Sequence, residues 1–61
     1  MESKIEQDLE DLKRMLGKTP MTIEEILFNV NWSEEKTRIY VHNLLERKQI
    51  FLSDEGRYYR P

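Results

Sequence analysis

Apolar residues recur along the first segment at spacings of four, three and four: Ile5, Leu9, Leu12 and Leu16. That is the period of one helix face. Met15 widens the stripe. Ser3 and Glu6 stand three apart just before it, the S-x-x-E pattern of a capping box. Gly17 is placed to supply a left-handed residue after the last turn, and Pro20 blocks simple continuation. The pattern predicts an amphipathic helix over 3–16, packed on a core with a solvated acidic back. A single apolar stripe on such a helix would also suit pairing with its own copy.

A second helix is predicted over 22–30. Thr22 and Glu25 repeat the capping-box spacing, and Met21 before the cap can staple to Ile26. Ile23, Ile26, Leu27 and Val30 line one face. Phe28 falls off that stripe, so lateral packing or partial exposure is expected of it. Asn29 to Trp32 is a short break, with Trp32 a plug at the core or its edge. Ser33 then caps a third helix over 33–48, where Glu34 and Glu35 complement the positive end of the helix dipole. Thr37, Val41, Leu44 and Lys48 cluster on its core side, flanked by Tyr40 and Leu45. The opposite side holds Glu35, Ile39, His42, Asn43 and Glu46. Lys36 and Arg47 border it on one side, and Arg38 lies near the other edge of the buried stripe.

From residue 50 the period changes to two. Ile50 to Ser53 and Arg57 to Arg60 are rich in strand formers. Ser53-Asp54-Glu55-Gly56 suits a type I turn followed by a left-handed glycine. The predicted hairpin over 50–60 pairs Leu52 with Tyr58 and Phe51 with Tyr59. Ile50, Leu52 and Tyr58 would face inward. Phe51 and Tyr59 would form an aromatic pair on the other face, covered by the first helix or left open as a partner patch. Met21 would add a short third strand. The fold class is mainly α with a small β-hairpin (α+β).

Composition narrows the function. Sixty-one residues make one domain, 1–61, of thin stability. The longest apolar runs are three residues, too short for a membrane span or a signal-peptide core. The chain has no cysteine, which removes disulfides and thiol chemistry and favours a reducing, cytoplasmic setting. Ten Lys and Arg stand against twelve Asp and Glu, a net charge of −2. Residues 1–17 hold five of the acids and three of the bases, so 18–61 is balanced and can carry a basic face. No nucleophile–base pair, Gly-rich phosphate loop or metal-ligand spacing is present. The acidic pairs Glu24-Glu25 and Glu34-Glu35 sit at helix starts, and His42 is alone. No catalytic residue, metal, cofactor or small-molecule substrate is therefore expected.

The whole order, helix, short strand, helix, tight turn, longer helix, hairpin, resembles the winged helix-turn-helix superfamily from Ile5 to Arg60. The resemblance is carried by M-T-I-E-E-I-L at 21–27, N-W-S-E-E-K-T-R at 31–38, and L-L-E-R-K-Q-I-F at 44–51 running into D-E-G-R-Y-Y. The closing I-F-L-S-D-E-G-R-Y-Y is also similar to the tail of the winged-helix domain that ends archaeal minichromosome-maintenance helicases. The family usually has glycine where Lys48 or Gln49 stands here. By that departure the third helix would end without a left-handed glycine.

The resemblance implies binding to double-stranded DNA. Helix 33–47 would enter the major groove and the 53–57 wing would touch flanking backbone. Lys36, Arg38, Asn43 and Arg47 supply donors for phosphates and base edges, and Ile39 suits a thymine methyl. His42 shares that face, while Ser53, Arg57 and Arg60 belong to the wing. Glu34 and Glu35 at the helix start, and Asp54 and Glu55 at the wing tip, oppose phosphate. Arg38 also stands at ion-pair spacing from Glu34. The expectation is a small cytoplasmic transcription regulator, weak as a monomer and helped by a homodimer through the first helix. The alternative is a non-catalytic protein-interaction module of a replication or transcription assembly. It would dock through the first helix or the Phe51 and Tyr59 patch.

Overall fold

A computed structural model describes residues 3–61. Glu2, counted above among the acids of the first segment, lies outside the described residues. Three helices, α1 (Lys4–Lys18), α2 (Ile23–Asn29) and α3 (Glu34–Glu46), precede two short strands, β1 (Phe51–Leu52) and β2 (Tyr58–Tyr59). The strands pair antiparallel with Phe51 opposite Tyr59 and Leu52 opposite Tyr58. Met21 forms a bridge to Tyr58 on the other edge of β2. Register and third-strand contact are those the alternation predicts.

Each helix begins where its cap residue stands. Ser3 Oγ accepts from the Glu6 N–H at 3.1 Å, and Ser33 Oγ from the Lys36 N–H at 3.1 Å. At α2 both halves of the capping box form: Glu25 N–H donates to Thr22 Oγ1 at 3.2 Å, and Thr22 N–H to Glu25 Oε1 at 2.9 Å. Two orphan amides of that helix start are thereby satisfied reciprocally.

The ends of α1 and α3 differ from expectation. Gly17 lies inside α1, which runs two residues further than 3–16. The helix stops at Thr19 instead, whose extended backbone (φ −151°, ψ 125°) is what a residue preceding proline adopts. α3 ends at Glu46, so Lys48 is not on its core side. Lys48 carries a left-handed backbone, φ 60°. Its N–H donates to Leu45 O and the Gln49 N–H to Leu44 O, both at 3.0 Å. This is a Schellman closure with lysine in the glycine position.

The core gathers Leu9, Leu12 and Leu16 from α1, Ile26 from α2, Tyr40, Val41 and Leu44 from α3, and Ile50. Met21, Ile23, Val30, Trp32, Leu45 and Tyr58 pack around it. Two stripe residues escape. Ile5 is 57% exposed, because burial begins one turn later at Asp8 and Leu9 and the first turn of α1 overhangs the core. Leu52 is 53% exposed. It stands on the outer strand of the hairpin, and its cross-strand partner Tyr58, bridged to Met21, takes the packed position instead.

Leu44 is fully buried, so Leu44→Ala should cost about 2–5 kcal/mol. Native domains hold only about 0.05–0.15 kcal/mol per residue, so the variant should show substantial unfolding by circular dichroism at room temperature. Lys48→Gly should do the reverse. A left-handed backbone costs a non-glycine residue roughly 1–2 kcal/mol, and removing most of that should raise Tm by several degrees, at about 4–8 °C per kcal/mol for this size.

Candidate nucleic-acid interface

The Ser33 cap and the Lys48 closure fix the length of α3, and its buried Thr37, Tyr40, Val41 and Leu44 fix its rotation. The side away from the core then presents Glu35, Ile39, His42 and Glu46. Ile39 is 59% exposed, as expected of an outward apolar residue. Asn43 borders this face: it is half-buried and lines an open concavity with Ile39, His42, Glu46 and Arg47, while its Oδ1 is enclosed without a hydrogen-bond partner. Between α2, α3 and β2 lies an open groove of about 270 Å³, lined by Ile23, Arg38, Val41, His42, Leu45 and Tyr58.

The bases proposed for DNA contact on and just after α3 are held by carboxylates. Arg38 donates through Nε (3.1 Å) and one terminal nitrogen (2.9 Å) to Glu34 Oε2. His42 Nε2 meets Glu46 Oε1. Arg47 lies 3.9 Å from Glu6 of α1, and Lys36 lies 3.9 Å from Asp8 and 5.7 Å above the Tyr40 ring. The Arg38, His42 and Arg47 pairs are exposed on both sides. Each is worth about 0–1 kcal/mol and is screened by salt, so a phosphate can compete for the base while the acid remains nearby to repel it.

The wing residues divide differently. Ser53 Oγ accepts from the N–H groups of Glu55 (3.3 Å) and Arg57 (3.2 Å). Its carbonyl accepts from Gly56 N–H at 3.0 Å, and Gly56 takes φ 79°. Ser53 therefore builds the predicted turn with the oxygen assigned to DNA. Arg57 is not at the tip. It turns back to Glu25 Oε1 (2.5 Å) and Pro20 O (3.4 Å), tying β2 to the start of α2. Arg60 lies off the wing, its Cδ 3.7 Å from where a Cβ on Gly17 would stand, and its N–H donates to Leu16 O at 3.4 Å. The exposed tip thus carries Asp54 and Glu55. Phe51 and Tyr59 form the expected aromatic pair, with centroids 6.0 Å apart and planes tilted by 37°. Phe51 remains exposed and Tyr59 is half-buried, so the pair is partly open.

A polar contact absent from the sequence reading joins α1 to α3. Tyr40 OH donates to Asp8 Oδ2 at 3.0 Å in a buried setting, and Trp32 stands edge-on to Tyr40 at 4.9 Å. Asp8 sits four residues before Leu12, on the flank of the apolar stripe. That position was its only signal among the five acids of the segment. Among the described residues no group of three His, Cys, Asp or Glu side chains is placed to hold a metal ion. Nor, among the described residues, is any helix long and apolar enough to cross a membrane.

The Thr22 amide bond to Glu25 holds that carboxyl below the usual glutamate range, and the charge of Arg57 adds to the lowering against an opposing desolvation. The unfolded chain binds this proton more tightly than the folded one. The stabilisation from Glu25 is thus complete above the unfolded value, roughly pH 4.3, and is lost as pH falls through the lower folded value. Urea midpoints measured down the acid range should fall less steeply for Glu25→Gln. Its Arg57 and Tyr58 amides should exchange faster at neutral pH, because the charge on the wing anchor is gone.

No protein-family model matches this chain, and neither does any curated protein or solved structure.

Proposed function

We propose that this chain is a winged-helix domain that binds double-stranded DNA, with α3 as the recognition helix and the Ser53–Arg57 wing beside the duplex. The observation that carries the reading is the outward side of α3. Ile39 and His42 stand exposed there, with Arg38 at its edge, next to a hairpin fixed to the helices by Met21 and Arg57. A helix of 13 residues exposed along one side has the dimensions for a major groove. Ile39 offers an apolar contact for a thymine methyl, and Arg38 and Arg47 offer donors. Their carboxylate partners make the binding weak and steeply dependent on salt. The role is that of a non-catalytic cytoplasmic regulator, and a homodimer would double the contact.

One observation favours protein interaction as a second reading. Phe28 on α2 is 91% exposed, well beyond the lateral packing its position off the stripe suggests. An aromatic side chain so exposed suits a partner surface.

Titration of labelled duplex at low salt, followed by backbone amide shifts, separates the two. Shifts should concentrate in 33–47 and 53–57 and vanish at higher salt. Lys36→Ala and Arg47→Ala should each flatten the plot of log affinity against log salt by about one unit without unfolding the domain. Absence of any shift at low salt sinks the DNA reading and leaves the protein-interaction one.

A further inference from the structure

We propose that the end of the molecule opposite the wing tip is a phosphate-binding site, built by Lys13, Gln49 and Arg60 with Lys48 and Lys18 at its border, and that backbone phosphate of nucleic acid occupies it. The occupant rests on the DNA reading above; the site itself does not.

The charge map points there. Among the described residues, the bases of α3 and Arg57 have carboxylates within 4.0 Å, whereas Lys4, Lys18, Lys48 and Arg60 have none. Of those four bases, Arg60 lines a concavity at this end, and Lys18 and Lys48 are chain neighbours of residues beside it. Arg60 runs beside Gly17, the chain neighbour of Lys18. Lys48 precedes Gln49, and Gln49 lines a concavity of about 260 Å³ together with Lys13, Arg60 and Pro61. Lys13 is already positioned: its side chain is only 15% exposed, and its ammonium donates to Gln49 Oε1 at 2.8 Å. Among the described residues, Glu10 pairs with this lining, 3.0 Å from the Lys13 ammonium. The result is local positive charge on a chain of net charge −2.

Lys48 occupies the one non-glycine left-handed position among the described residues. A lysine near a helix C-terminus gains from the dipole, but that gain is smaller than the cost of the left-handed backbone. Glycine would close the helix more cheaply. What lysine adds is a long cationic side chain on the residue preceding Gln49, and local strain of this kind collects at functional positions. The concavity takes a tetrahedral oxyanion: Lys13 and Arg60 supply charged donors, and Gln49 supplies an amide.

The test compares the full chain with Lys48→Gly/Arg60→Gln in two titrations. In the first, inorganic pyrophosphate should move the amides of Lys13, Gln49 and Arg60 to saturation in the parent chain and bind at least several-fold more weakly to the variant. Unmoved amides, or equal binding by both forms, overturn the site. In the second, duplex DNA is titrated across a salt range. The variant's plot of log affinity against log salt should be flatter by about two units, at about 0.9 per phosphate lost, while its Tm is no lower than the parent's. A slope unchanged between two forms that both bind duplex overturns backbone phosphate as the occupant and leaves the α3 reading intact. Duplex bound by neither form overturns the α3 reading, and the pyrophosphate titration then decides the anion site alone.

Discussion

The hairpin depends on two hydrogen bonds that are not its own. Met21 N–H donates to Tyr58 O at 3.0 Å and Tyr58 N–H to Met21 O at 2.7 Å. Two strands of two residues each cannot stand alone in water. The bridge makes the linker between α1 and α2 part of the sheet, so the hairpin inherits the position of the helices. Pro20 and Thr22 flank Met21 and are engaged as well: Arg57 reaches the Pro20 carbonyl, and Thr22 shares Glu25 with Arg57. Glu25 Oε1 therefore closes a helix cap and holds the hairpin with one atom. Hairpin and α2 are placed together or not at all.

The electrostatics follow from the small size of the chain. With about a third of its residues charged, most surface bases lie within reach of an acid on the same helix or the next one. The i,i+4 pairs Glu34–Arg38 and His42–Glu46 are built into the α3 sequence itself. The Asp8 and Glu6 contacts to Lys36 and Arg47 arise because the acidic start of α1 lies across α3. Net charge alone misses this arrangement. Part of the acid excess of α1 neutralises the bases on and just after the third helix.

Local chemistry was legible in the sequence. Three caps, the α2 capping box, the Ser53–Gly56 turn and the hairpin register depend on residues a few positions apart, and their geometry is written in spacing. The face of α3 was legible too, because Thr37, Val41 and Leu44 are at helical period and bulky enough to choose the core. What spacing could not reveal is where one element ends against another. Gly17 looked like a stop signal, but Thr19 before Pro20 supplies the stop. Ile5 matches the α1 stripe and still faces water, because burial along α1 begins only at Asp8 and Leu9. The site residues were the least legible. Arg57 and Arg60 differ only in which neighbour lies nearby, and Ser53 carries the same hydroxyl whether it meets a phosphate or its own turn.

The chain has one tryptophan. Trp32 stands edge-on to the tyrosine that α1 engages through Asp8, at the seam between the first helix and the rest. Tyr40 lies within energy-transfer distance of the indole. The protein thus contains an intrinsic optical gauge at that seam, sensitive to whether α1 is docked.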